Sequence, residues 1–310
     1  MTDAAAAPDA ALADAKEPEH RSLWGDVWRQ FRAHKGAMAG ATVFSFILLA
    51  VIFGPMLWTI DPGMTDIRAR NAPISLAHPF GTDNVGRDML AQMMAGGRTS
   101  LAVGVVAMLV SMLIGAIIGV LAGYFRRLDG PLMRITELFL ALPILPLLLV
   151  VILLFRDTLR SSFGPEAGIF VMIVVVIGVT SWMQTARIVR GEVQALKERE
   201  FVLAAQSIGT LSGRIITRHI LPNVLSPIMV SATIGVANAI ITESTLSFLG
   251  LGFPPDFPTW GRLLFDGKDF LTRSPGRVIW PGLAISLTVL SVNFIGDGLR
   301  DALDPRIRGR

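Results

Sequence analysis

Residues 99–123 read TSLAVGVVAMLVSMLIGAIIGVLAG, with no Asp, Glu, Lys or Arg. About 20 consecutive apolar residues are enough for a helix to cross the hydrocarbon core of a bilayer, and this run meets that length. Five more stretches resemble it: 37–60, 132–155, 167–186, 226–249 and 278–297. Two are less uniform. The 132–155 stretch begins with Arg134 and Glu137 and contains Pro143 and Pro146, and 226–249 contains Asn238 and Glu243. Polar interruptions of this kind are usual where helices line a watery path. The reading is an all-α polytopic membrane protein with six transmembrane helices.

Composition agrees. Mean hydropathy is +0.57 and charged residues make up 17% of the 310, against about 25% in soluble domains. So much apolar surface needs lipid rather than water around it. The basic balance, pI ≈ 10.1, argues for membrane flanks and not for nucleic acid, because the bases lie between apolar runs. With the N-terminus inside, pieces 1–36, 124–131, 187–225 and 298–310 hold 17 Lys and Arg, against 10 in the outside pieces. The bias favours both termini in the cytoplasm. The first apolar run is too long for a cleaved leader and ends in Trp58-Thr59-Ile60-Asp61 with no A-x-A site, so it reads as an uncleaved span. The first ~20 residues read as disordered.

The cytoplasmic stretch 187–225 carries the mechanism. It contains Glu200-Phe201-Val202-Leu203-Ala204-Ala205-Gln206-Ser207-Ile208-Gly209 and later Ile220-Leu221-Pro222-Asn223. Phe201, Ala204, Ala205 and Ile208 recur at helical spacing, so a helix is predicted from Glu192 to Ile208, stopped by Gly209. A second is predicted from Leu211 to Leu221, ending at Pro222. A short helix–turn–helix with small alanines suits docking into a partner's groove.

Here the chain resembles a family. Ala205, Gly209, Leu221 and Pro222 match the E-A-A-x3-G-x9-I-x-L-P motif of ABC-importer permeases, while the motif's Glu falls on Leu203 and its first Ile on His219. The neighbouring Glu200 and Arg218-His219-Ile220-Leu221-Pro222-Asn223 resemble the variant of the peptide-permease branch. Further blocks follow in the same order as in the C-type permease of dipeptide, oligopeptide and nickel importers: His78 to Asp88, Gly97 to Leu101, Glu243 to Gly252, Pro258 to Gly261 and Gly296 to Pro305. The resemblance implies the type I ABC importer permease fold in a bacterial inner membrane. Residues 1–36 would be a cytoplasmic segment, 37–98 the first span with an outside loop, 99–297 the core and 298–310 a cytoplasmic tail.

It also implies the partners: a second homologous permease, two cytoplasmic ATP-binding subunits and an extracytoplasmic solute-binding protein. Glu200, Ala204, Ala205, Gly209, Leu221 and Pro222 would couple the pore to the ATPases. ATP and Mg would belong to those partners, with no cofactor in this chain. The implied cargo is di- or oligopeptide, with nickel, glutathione-like peptides and oligosaccharides as alternatives. An ion-coupled secondary transporter or channel is the other class; it would use several intramembrane acids and often inverted repeats.

Other residues carry two readings each. Glu243 is either a pore group meeting a peptide's amine or a structural hydrogen-bond or ion-pair partner, with Arg87 and Arg98 as its candidate partners. Arg87 and Asp88 either touch the binding protein or clamp their own loop. Gly115, Gly119 and Gly123 serve an interface with the sister permease or packing within the chain. Asn293 and Asp297 are read as helix-end or interhelical hydrogen-bonding groups. His20, His34, His78 and His219 form no metal-ligand pattern. No cysteine is present, and neither is a G-x4-G-K-[ST] phosphate loop, so the chain is not read as the ATPase or as an enzyme.

Overall fold

The computed structural model describes residues 23–303, which form helices and no β-strand. The expected disorder at the N-terminus and the end of the tail block, Asp304-Pro305, lie outside the described residues. The helices are α1 (Leu23–Ala33), α2 (Lys35–Leu57), α3 (Met89–Tyr124), α4 (Arg126–Ala141), α5 (Ile144–Phe163), α6 (Pro165–Lys197), α7 (Glu200–Ser207), α8 (Ser212–Ile215), α9 (Leu221–Phe248), α10 (Trp260–Gly267) and α11 (Gly276–Leu303).

Five of the six apolar stretches lie on continuous helices long and apolar enough to cross a membrane: α2, α3, α6, α8–α9 and α11. The 132–155 stretch does not. It is split into α4 and α5, bent by 89° at Leu142-Pro143. Proline offers no N–H and disfavours helical geometry in the residue before it; Leu142 is accordingly extended, with ψ 136. The spans also overrun their apolar cores. α3 has 36 residues, about 54 Å at 1.5 Å per residue, so it starts ten residues before the run that marks it.

The two most extensive helices, α3 and α6, lie against each other along the glycine row. A Cβ on Gly115 would stand 2.7 Å from the Trp182 carbonyl, and one on Gly119 2.7 Å from the Ala186 carbonyl. On Gly123 it would meet Val193 at 2.7 Å. The row therefore serves packing within the chain. Lipid supplies no hydrophobic drive between helices, so close approach of backbones has to hold them. At one end of this seam Lys197 Nζ donates to the Tyr124 carbonyl at 2.9 Å. The Arg190 guanidinium ties α6 to Asp129 of α4, with Nη2 donating to Oδ2 at 2.7 Å.

α2 is held differently. Pro55 removes the N–H that would bond the Val51 carbonyl four residues earlier. Arg98 of α3 takes over, its Nε donating to the Val51 carbonyl at 2.9 Å and Nη2 to that of Ile52 at 2.7 Å. At the opposite end of α2 the His34 ring accepts the Ala37 N–H at 2.9 Å, capping the helix. The stretch 250–277 contains α10. Its Trp260 is buried, and Nε1 donates to the Met93 carbonyl at 3.0 Å.

Gly119→Val forces α3 and α6 apart and lowers stability by about 1–3 kcal/mol. Gly191→Ala, on the same α6 but with nothing near its added carbon, stabilises by up to about 1 kcal/mol. Thermal melting of the detergent-purified chain should show a lower midpoint for the first variant and an unchanged or higher one for the second.

Candidate functional site

α7 is the element the sequence marks, and its geometry differs from the expected Glu192–Ile208 helix. α6 runs on to Lys197, and the chain turns at Glu198 and Arg199, where Arg199 is extended at φ -77, ψ 144. Glu200 then opens α7, where its charge is favourable to the helix dipole. The end is as expected. Gly209 has φ +78, its N–H bonds the Gln206 carbonyl, and the Thr210 N–H bonds that of Ala205. This is a Schellman ending, in which glycine takes the left-handed position without steric cost.

The apolar stripe expected on one face is divided between two. Val202 and Ala205 are buried against Ile215, Ile220, Val224 and the α6 residues Val189 and Val193. Phe201, Leu203 and Ala204 are exposed, as are Ile208 at 83% and Leu211 at 77%. One side thus fixes α7 to the bundle and the other is an uncovered apolar edge.

Pro222 does not end its helix. Residues Ile216–Ile220 widen into a π turn, in which the Leu221 N–H reaches back to the Ile216 carbonyl. The wider turn makes room for the proline ring, and Pro222 enters at the first positions of α9. Asn223 Nδ2 also bonds the His219 carbonyl at 2.6 Å. Leu221 and Pro222 are both exposed, and the His219 ring lies 6.2 Å from that of Phe201 across the turn. The structure therefore brings both halves of the motif into one surface element.

A groove that the sequence reading missed lies between α3, the α4–α5 bend, α6 and α9. It has a volume of about 360 Å³, and its polar lining comes from Ser111, Thr180, Ser181, Gln184, Thr185, Ser231 and Asn238. None of its lining residues is charged. Thr185 and Ser231 meet at 3.2 Å between their hydroxyl oxygens. The signal was present, since Thr180, Ser181, Gln184 and Thr185 recur on one face of α6, as do Ser231 and Asn238 on α9.

Glu243 is not in that groove. It is fully buried where α9 meets α3, accepting hydrogen bonds from Ser100 at 3.1 Å, Ser244 at 3.4 Å and Ser247 at 2.8 Å. Ser100 Oγ also accepts the Trp260 N–H at 3.2 Å. Neither arginine named from the sequence reaches it: Arg98 bonds α2 carbonyls and Arg87 Nη1 lies 3.4 Å from the Pro255 carbonyl. Asp88 is likewise internal. It caps α3 by accepting the Ala91 N–H at 2.8 Å, and it accepts Trp58 Nε1 at 3.0 Å and faces His78 Nδ1 at 2.8 Å. Only the adjacent Arg87 stays half-exposed. Asp297 is exposed on α11, and among the described residues its side chain has no hydrogen-bond partner.

The chain matches the family described as binding-protein-dependent transport system inner membrane component over residues 111–309. It matches the N-terminal transmembrane domain of oligopeptide transport permease C over 22–73. It is 43% identical over 295 residues to the oligopeptide transport system permease protein OppC of Escherichia coli, covering 94% of each chain. With the dipeptide transport system permease protein DppC of Bacillus subtilis it shares 40% over 298 residues, 96% of this chain and 90% of that one. Among solved structures, an inward-facing MetNI methionine ABC transporter chain is similar with a TM-score of 0.54, covering 67% of this chain and 94% of that one. At 19% identity that likeness speaks for the fold.

Glu243→Ala leaves the Ser100 and Ser247 hydroxyls without their buried acceptor, at a cost of about 1–3 kcal/mol. Glu243→Gln keeps an acceptor oxygen and loses less. The melting midpoints of the purified variants should fall in that order.

Proposed function

The chain belongs to the binding-protein-dependent transport system inner membrane components, and on that premise we propose that it is a permease subunit of an ABC importer of di- or oligopeptides in a bacterial inner membrane. It forms half of the translocation path, a second homologous permease forms the other half, and two ATP-binding subunits drive both. An extracytoplasmic solute-binding protein delivers the cargo. Peptide cargo is supported by the names of relatives that align along nearly the whole chain.

The observation that carries the reading is the uncovered apolar edge of α7. Phe201, Leu203, Ala204, Ile208 and Leu211 are exposed on an element that the buried Val202 and Ala205 anchor to α6 and α9. An edge of this kind gains by being covered, and a groove on each ATPase subunit is the cover. The end of the bundle with α7 is then cytoplasmic, and the end with α10 faces outside, as the Lys and Arg bias favours. Closure of the ATPases moves α7, and the movement passes through Val202 and Ala205 into α6 and through the π turn into α9. Both helices line the polar groove, so a rigid-body rotation at one end changes access to the path. Neutral hydroxyls and amides in that groove suit peptides of varied side chain, since they bond backbone amides and impose no charge preference.

Ile208→Asp combined with Leu211→Asp tests the reading. Both side chains are exposed, so the melting midpoint of the purified subunit should stay within a degree or two, while charge on the apolar edge weakens association by at least ~10-fold, about 1.4 kcal/mol. Tagged subunit from membranes should then lose its ATP-binding partners and its ATP-dependent peptide uptake. Uptake that continues with the ATPases absent would sink the proposal.

A further inference from the structure

The end of the bundle opposite α7 holds a second cleft, of about 330 Å³, between the 58–88 loop, the start of α3 and the segment from α10 into α11. Three acids and three bases line it: Asp83, Asp266 and Asp269 with Arg87, Lys268 and Arg277. Two of the acids are already fully engaged. Asp83 accepts the N–H groups of Val85 at 2.9 Å and Arg87 at 2.8 Å, and the Gln92 amide at 3.3 Å. Asp266 takes the Arg262 guanidinium at 3.2 and 2.9 Å. Asp269 is exposed, with Lys268 Nζ 3.7 Å away.

The arginines have donors left over. Arg277 is 3% exposed; its Nη2 bonds Asn84 Oδ1 at 2.9 Å and lies 3.4 Å from the Asp266 carbonyl, while Nη1 is buried without a partner. Arg87 Nε is buried without one as well. A buried donor left unpaired costs about 1–3 kcal/mol, and here two occur in one cleft. Ring faces support two of the cations as well: Arg277 lies 4.1 Å from the Phe270 centroid and Lys268 3.5 Å from that of Phe265. Stacking leaves the in-plane N–H groups available; with Arg277 Nη2 already bonded, Arg277 Nη1 and Arg87 Nε are the donors left for the oxygens of a carboxylate.

We propose that this cleft is a carboxylate socket that takes an acidic side chain of the docking solute-binding protein. This rests on the reading above, which makes this end extracytoplasmic. Peptide cargo is the less suited source, because the cleft shares no lining residue with the polar groove between α3, α6 and α9.

The test uses the whole complex in nanodiscs, with its cargo-free binding protein labelled for a binding titration. Arg87 is the position to change, being half-exposed where Arg277 is buried. R87Q is expected to weaken binding by at least ~10-fold and to flatten its dependence on salt. R87K, which keeps the charge and loses the fork, should fall between R87Q and wild type, and melting of the R87Q complex should match wild type. Unchanged affinity in R87Q overturns the socket. So does a loss seen only with binding protein loaded with a free-carboxylate peptide and absent with the C-amidated peptide, since the carboxylate would then be the cargo's. A wild-type complex that ignores the binding protein altogether would instead overturn the importer reading, and the socket with it.

Discussion

Gly115, Gly119 and Gly123 carry no side chain because α6 occupies the space where one would stand. Lipid solvates a leucine face as well as another helix does, so two spans stay together only where their backbones come close enough for dense contact. Along the α3–α6 seam that closeness sets everything else. It places Lys197 against the last carbonyl of α3, and so fixes where α6 stops and α7 can begin. It also turns Thr180, Ser181, Gln184 and Thr185 toward α9 and the bend between α4 and α5, where the polar groove opens. The surface element and the groove are thus two ends of one packed pair.

Much of this was legible from residue order, and the parts that were not share a cause. Apolar runs report what a segment is dissolved in, so the number of membrane-scale stretches and the helical class came through. They do not report direction. The 132–155 run is apolar on both sides of Leu142, and only the pair Pro143 and Pro146 hinted at a turn as sharp as 89°. Pro222 misled for a related reason. A proline stops an α-helix whose ladder needs its N–H, but Ile216–Ile220 change to wider i→i+5 bonding and the rod continues. Gly209 was readable because a left-handed helix ending is a local event that needs no distant partner.

Side-chain roles were harder to read where the partner lies far along the chain. Glu243 finds its hydroxyl at Ser100, 143 positions earlier, and no spacing rule points there. Arg87 and Asp88 are neighbours that look interchangeable as outside charges, yet one residue of register separates them. Asp88 falls on the cap of α3 and is consumed by its own fold, while Arg87 precedes the cap and faces the cleft. The groove could have been found by asking which polar residues of the apolar helices share a face. α10 has only eight residues between flanking prolines, too few for a helical period to stand out.

The arrangement at Pro55 has a consequence for how this chain can vary. Arg98 Nε finds the Val51 carbonyl open because position 55 lacks an N–H, and Nη2 takes the Ile52 carbonyl beside it. Restoring an ordinary residue at 55 would close the ladder and leave Arg98 Nε competing for a carbonyl already taken. Replacing the arginine alone would strand a bare carbonyl. Each change is costly by itself and mild in the presence of the other, so the two positions are bound to drift together or to stay as they are.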